Sequence, residues 1–173
     1  MATTESTTLP ELDLPGFTKR YLAAWNEQRP DAMAELITDD IVCFDPALPQ
    51  PARSVAEVQE FMRASFRAFP NLRFFEPDPS HLSVVGDQVA WAWGMEGSMT
   101  GPMDPPGFAP TGRSMRIEGV DVWRLRDGRI AHYRAFYDTT DLARQLGIMP
   151  SPGSGAERAT VALQRLQARF QRR

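Results

Sequence analysis

Residues 114–137 read SMRIEGVDVWRLRDGRIAHYRAFY, two runs of alternating apolar and polar residues joined by Arg126-Asp127-Gly128. Alternation with a period of two marks strands with one buried face, and an Asp-Gly pair between two such runs signals a tight hairpin. The spacing predicts strands over 114–125 and 129–137. Toward the N-terminus the same alternation predicts strands at 88–97, 81–85 and 72–76. Ahead of Pro70 the period changes. Phe17, Tyr21 and Trp25 recur every four residues over 15–28, with Asp13 ahead and Pro15 near the start, which predicts a helix. A second, short helix is expected over 31–37, after Pro30. The Ser54-x-x-Glu57 capping box opens a third, carrying Val58, Phe61, Met62 and Phe66, that runs to about Phe69. Between the last two, Ile41 to Asp45 is a β-branched strand stopped by Pro46.

Three helices followed by a meander define an α+β protein, with the helices on one face of an antiparallel sheet. A strongly curved sheet wrapped over about three N-terminal helices makes a cone with one open end. Alternation sorts the inward residues into Val89, Trp91, Trp93 and Met95 on one strand, Ile117, Gly119, Asp121 and Trp123 on the next, and Tyr133, Ala135 and Tyr137 on the last. Trp25, Phe61, Trp91, Trp93, Trp123, Tyr133 and Tyr137 are the expected walls of a site for a flat, apolar ligand; the competing reading is that these aromatics fill the core. The Pro- and Gly-rich stretch 101–113 is long enough to border the mouth of such a site.

At 173 residues the chain is one domain by the usual scale of roughly 100–200 residues per domain. Its 42% hydrophobic and 24% charged residues are globular proportions, and no apolar run approaches the ~20 residues that span a bilayer. The start, MATTESTTLPELDLP, has neither a basic nor an apolar segment of the export type, and one cysteine makes no internal disulfide, so the expected location is cytoplasmic. A net charge of -3 gives no global attraction to nucleic acid or to an anionic membrane. The expected partners are a small hydrophobic molecule and a second copy of the chain. Composition divides the sequence into a disordered lead at 1–12, a domain at 13–148, and a linker plus basic tail at 149–173. Residues 151–173 hold five arginines and one glutamate, and Val161, Leu163, Leu166 and Phe170 suit a helix that docks on its own protein or frays.

The polar residues on apolar faces carry the chemical signal. Tyr21 lies in the stripe of the first helix, Asp45 ends a strand beside Cys43, and Asp121 sits between Gly119 and Trp123 on an inward face. A carboxylate in such surroundings is costly unless paired, metal-bound or neutral. Two carboxyls and a phenol suffice for acid-base work: a dry carboxyl kept protonated donates to an oxygen that gains charge, and a better-solvated one accepts a proton from carbon. Each also has a structural reading, since Asp45-Pro46 caps a turn, Asp121 has Arg116, Arg124 and Arg134 nearby in sequence as candidate partners, and Tyr21 fills a core. His81, His132 and Cys43 make no metal-ligand spacing, and no Gly-rich phosphate loop follows a strand, so neither metal nor cofactor is expected.

Tyr21-Leu22-Ala23-Ala24-Trp25-Asn26, Leu36-Ile37-Thr38-Asp39-Asp40, Phe44-Asp45-Pro46, Val120-Asp121-Val122-Trp123-Arg124 and Arg134-Ala135-Phe136 together resemble the ketosteroid isomerase branch of the nuclear-transport-factor-2-like superfamily, over roughly residues 16–142. The resemblance implies a curved-sheet cone with helices closing one side, and a homodimer that buries the outward sheet face. It places Asp45 where the isomerases keep the base that shuttles a proton, and Tyr21 and Asp121 where they keep two oxyanion donors, one a protonated aspartate. The stretch 97–112, with Thr100-Gly101-Pro102 and Ala109-Pro110-Thr111-Gly112-Arg113 at its end, resembles the broader SnoaL-like group, which includes polyketide cyclases. Those cyclases keep an aspartate at the position of Ala135 and a histidine at that of Asp121, so both positions depart from their pattern. The implied activity is cofactor-free proton transfer next to a carbonyl of a hydrophobic, polycyclic substrate, of the ketosteroid isomerase type. Polyketide cyclisation and epoxide opening are the enzymatic alternatives, and a ligand-binding or assembly module is the non-enzymatic one.

Overall fold

Helix α1, Leu14–Asn26, begins where the Asp13 carboxylate accepts from the Gly16 backbone N–H at 3.0 Å, and it buries Phe17, Thr18, Tyr21, Ala24 and Trp25 along one stripe. This computed structural model describes residues 13–78 and 80–171; the lead expected at 1–12 lies outside the described residues. A 3-10 turn, Pro30–Glu35, takes the place of the second helix and leads into β1, Ile37–Phe44. In α2, Val55–Ala68, the Ser54 side chain accepts from Glu57 N–H at 3.2 Å, while Glu57 reaches back to the Arg53 N–H at 2.6 Å. Burying Phe17 and Met62 completely contributes ~1.5–3 kcal/mol each to packing the two helices on the sheet.

The strands are β2, Arg73–Phe75; β3, Leu82–Val85; β4, Gln88–Ser98; β5, Ser114–Arg126; and β6, Arg129–Tyr137. They form one curved, open sheet in the order β1-β6-β5-β4-β2, with β3 sharing the outer edge of β4. Asp127 and Gly128 both take positive φ, 52° and 74°, which is the two-residue hairpin that their sequence predicts between β5 and β6.

The expected all-antiparallel sheet is corrected at one edge, because β1 runs parallel to β6, pairing Cys43 with Tyr133 and Phe44 with Arg134. The strand also starts four residues earlier than the apolar run suggested. Asp39 and Asp40 are exposed there, and Asp40 pairs with Arg126 across the neighbouring hairpin. A helix unforeseen in the sequence, α3, Thr139–Gln145, follows β6, with the Asp138 side chain accepting from Thr140 and Asp141 N–H at 2.8 Å each. The tail forms α4, Gly155–Gln171, whose Val161, Leu163, Leu166 and Phe170 are exposed rather than docked. Among the described residues no helix is long and apolar enough to cross a membrane.

Candidate active site

Parallel pairing brings the C-terminal ends of β1 and β6 to the same edge of the cone, and there the chain places Asp45 and Tyr137. Asp45 is half-buried, and its Oδ1 accepts from the Ala47 N–H at 2.8 Å and from Tyr137 Oη at 2.8 Å. The first bond is the turn contact expected of Asp-Pro; the second fixes the carboxyl toward the interior. Burial raises its pKa above the usual carboxylate range, and the two hydrogen bonds partly offset that rise. Asp45 and Tyr137 line a cavity of about 1010 Å3, whose other walls include Trp25, Phe61, Trp93 and Tyr133.

Asp121 is only 1% exposed, with Oδ1 accepting from Trp93 Nε1 at 2.6 Å and from Tyr133 Oη at 2.9 Å. Burial pushes this carboxyl up to about 8, and the hydrogen bonds only moderate the shift, so the neutral acid prevails at pH 7. None of the three candidate arginines partners it. Arg116 pairs with Glu96, Arg124 lies 3.5 Å from Asp87, and the Arg134 guanidinium stacks 4.3 Å over Phe44, all on the outward face. Gly119 makes the Trp93 contact feasible: a Cβ there would stand 2.5 Å from the indole, which lies across the glycine to reach Asp121 two residues on.

Of the expected walls, Trp25, Phe61, Trp93, Tyr133 and Tyr137 line the cavity, whereas Trp91 and Trp123 do not. Both are fully buried beneath α1, Trp123 at 5.7 Å from Phe17 and 5.2 Å from Tyr21, and Trp91 at 5.9 Å from Tyr21. The helix fills that end of the cone, so two indoles on the correct face become core. Tyr21 shares their position: its phenol is raised well above the usual range by burial, with the Asp121 charge adding to the rise, and it lines a separate void of about 20 Å3 instead. Tyr21 and Asp121 therefore stand behind the cavity wall, and Asp121 is joined to that wall through Trp93 and Tyr133.

Residues 101–113 border the mouth as expected, through Met103, Asp104, Pro105, Pro106 and Phe108. Gly101 anchors this loop against the end of α2, its N–H donating to Ala68 O at 3.1 Å. Its missing side chain allows the approach, since a Cβ would collide with the Arg67 carbonyl oxygen at 1.8 Å. Leu142, Leu146 and Ile148 complete the rim and were not anticipated; Asp138 followed by Leu142 and Leu146 at helical spacing was the available signal. Among the described residues no group of three or more His, Cys, Asp or Glu side chains is placed to hold a metal ion.

An open, curved sheet packed on N-terminal helices, with a carboxyl-bearing apolar cavity, is an α+β fold of the nuclear-transport-factor-2-like class. The model of the SnoaL-like polyketide cyclase family matches residues 17–146, and the chain belongs to that family. Among solved structures it is similar to TsrD from Streptomyces laurentii, with 23% identity and a TM-score of 0.70 over 82% of this chain and 99% of that one. IdmH from Streptomyces antibioticus, named provisionally as a polyketide cyclase, is 22% identical with a TM-score of 0.63 over 78% and 99% of the two chains. A protein from Catenulispora acidiphila with a ketosteroid isomerase-like fold is 16% identical with a TM-score of 0.64 over 77% and 93%. At these identities the likeness establishes the fold. No match was found among curated proteins.

Proposed function

We propose that this protein is an acid-base enzyme that moves a proton next to a carbonyl of a hydrophobic, polycyclic substrate, with Asp45 as the base. The supporting observation is a raised, oriented carboxyl at the wall of an apolar cavity of about 1010 Å3. That volume matches the upper end of the ~300–1,000 Å3 usual for small-molecule pockets, so it suits a fused-ring molecule better than a small ketone. Both hydrogen bonds to Asp45 fall on Oδ1, which leaves Oδ2 to take the α-proton. The C–H electron pair moves into the enolate, whose oxygen takes up the negative charge. Return of the proton to a different carbon of the conjugated system completes an isomerisation of the ketosteroid type. Attack of the enolate carbon on a second carbonyl of the same molecule completes an aldol closure, the outcome that family membership favours.

The reading includes a homodimer in the cytoplasm, where a lone buried thiol such as Cys43 stays reduced. Val120 and Phe136, exposed by 39% and 53%, face each other across β5 and β6 on the outward side of the sheet, a surface suited to the same face of a second copy.

The enzyme reading is tested by incubating the protein with a polycyclic β,γ-unsaturated ketone in heavy water and following deuterium at the α-carbon by mass spectrometry. Incorporation well above the buffer rate is expected. Incorporation at the buffer rate, with the ketone still bound, makes the protein a ligand-binding module.

A further inference from the structure

Helix α4 stands free of the body, with every side chain from Arg158 to Gln167 exposed. Leu163, Leu166 and Phe170, exposed by 56%, 51% and 68%, recur at helical spacing and form one apolar line along it. Arg158, Arg165 and Arg169 form a second line, about a third of a turn round the helix. Helices of this length draw most of their stability in water from packing an apolar face, so this line implies a surface that it meets. We infer that α4 is the lid of the cavity: over a bound apolar ligand it folds back across the mouth, its Leu163, Leu166 and Phe170 line against Phe108 and its Arg165 and Arg169 toward Asp104. The lid needs only the cavity, whichever residue is the base.

Three observations select this surface. The tail leaves from the mouth itself, because Ile148 and Met149 line the cavity and Met149 is 43% exposed there. A capping box fixes where α4 starts: Ser154 accepts from Glu157 N–H at 3.1 Å, and Glu157 accepts from Gly153 N–H at 2.6 Å. Only 150–153 is left as a hinge, a reach of at most ~14 Å, so a helix ~26 Å long stays within range of the rim. Such a short tether also favours the chain's own mouth over a second copy. Charge is complementary as well. Residues 151–173 carry a net +4, leaving -7 on the rest of the chain. At the rim Arg63 and Arg67 already hold Glu60, and Glu57 accepts from the Arg53 N–H. Asp104 has no ion-pair partner among the described residues, and neither do Arg165 and Arg169. The rim beside Asp104 is apolar, through Met103, Pro105, Pro106 and the 40% exposed Phe108. A ligand in the mouth adds apolar surface that the helix touches only when closed, which is the differential contact that shifts the equilibrium. Closure then shields the ligand from water.

The test uses the full chain and prodan, a neutral, fluorescent naphthyl ketone. Spin labels go on Ala56→Cys, at the exposed start of α2, and Gln164→Cys on α4, since the natural Cys43 is buried. Saturating prodan is expected to bring in a shorter, narrower distance between the labels, and added salt to weaken it. Prodan release, followed by stopped-flow fluorescence, should be at least ~10-fold faster in Leu166→Asp/Phe170→Asp and in Arg165→Asp/Arg169→Asp than in wild type. Both pairs are exposed, so the melting temperature of the body should not move. Adding Asp104→Arg to Arg165→Asp/Arg169→Asp should restore slow release, which loss of helix α4 would not allow. An unchanged distance at saturating prodan overturns the inference, as does release at the wild-type rate from either pair of substitutions. A short distance that appears only between chains carrying one label each overturns it too, by placing α4 on a second copy.

Discussion

Tyr137 Oη donates to Asp45 Oδ1 over 2.8 Å, although 92 residues separate the two along the chain. The contact exists because β1 lies parallel to β6, so that the residue just beyond one strand meets the last residue of the other. It opposes the effect of burial on Asp45 by favouring the ionised form.

Removing that phenol therefore has a signed consequence. In Tyr137→Phe the carboxyl loses a donor to its charged form and its pKa rises further. The base is active above its pKa, so the acid limb of the rate profile should move to higher pH while the alkaline limb stays. A pH profile of α-proton exchange checks this; an unmoved acid limb dissociates Tyr137 from the base.

Gly119 makes a second prediction. A methyl group there meets the Trp93 indole at 2.5 Å and the Phe136 carbonyl oxygen at 2.8 Å, so Gly119→Ala must push the indole off Asp121. Overpacking of this kind costs ~1–3 kcal/mol of stability. The variant should melt earlier, show altered tryptophan emission and lose much of its activity, measured by thermal denaturation, fluorescence and exchange. Wild-type melting and emission would mean that Trp93 does not depend on the gap.

Much of this fold was legible in advance because its signals are local. Alternation from Gln88 to Tyr137, the Asp127-Gly128 turn and the Ser54/Glu57 box each report on a few consecutive residues, and each element stands where those residues predict. The parallel pairing of β1 was not legible, since an isolated strand with Asp39 and Asp40 at its centre does not declare its neighbour. The site divides in the same way. Asp45 and Asp121 betrayed themselves as acids among apolar neighbours, but strand phase identifies only the inward face and not the depth along it. Trp91 and Trp93 are two residues apart on one face, and only the passage of α1 makes one core and the other cavity wall. Tyr133 read as lining for the same reason, its partner being fixed by the β5–β6 register.

The outward sheet face yields a third prediction. If Val120 and Phe136 lie at a two-fold interface, replacing both by lysine should convert a dimer into monomers in sedimentation, while deletion of 151–173 should leave the dimer intact. A monomeric wild-type protein contradicts the homodimer. Dimers that survive the double substitution place the interface elsewhere.

The most direct test of the central proposal is the rate of α-deuterium exchange into a bound polycyclic ketone by Asp45→Asn relative to wild type. The substitution keeps size and turn geometry but removes the base. Exchange should fall by ~10² to 10⁴, the range for losing a general base, while the ketone binds much as before. A rate within about threefold of wild type would reduce Asp45 to a residue of the Asp-Pro turn and contradict proton abstraction at this carboxyl.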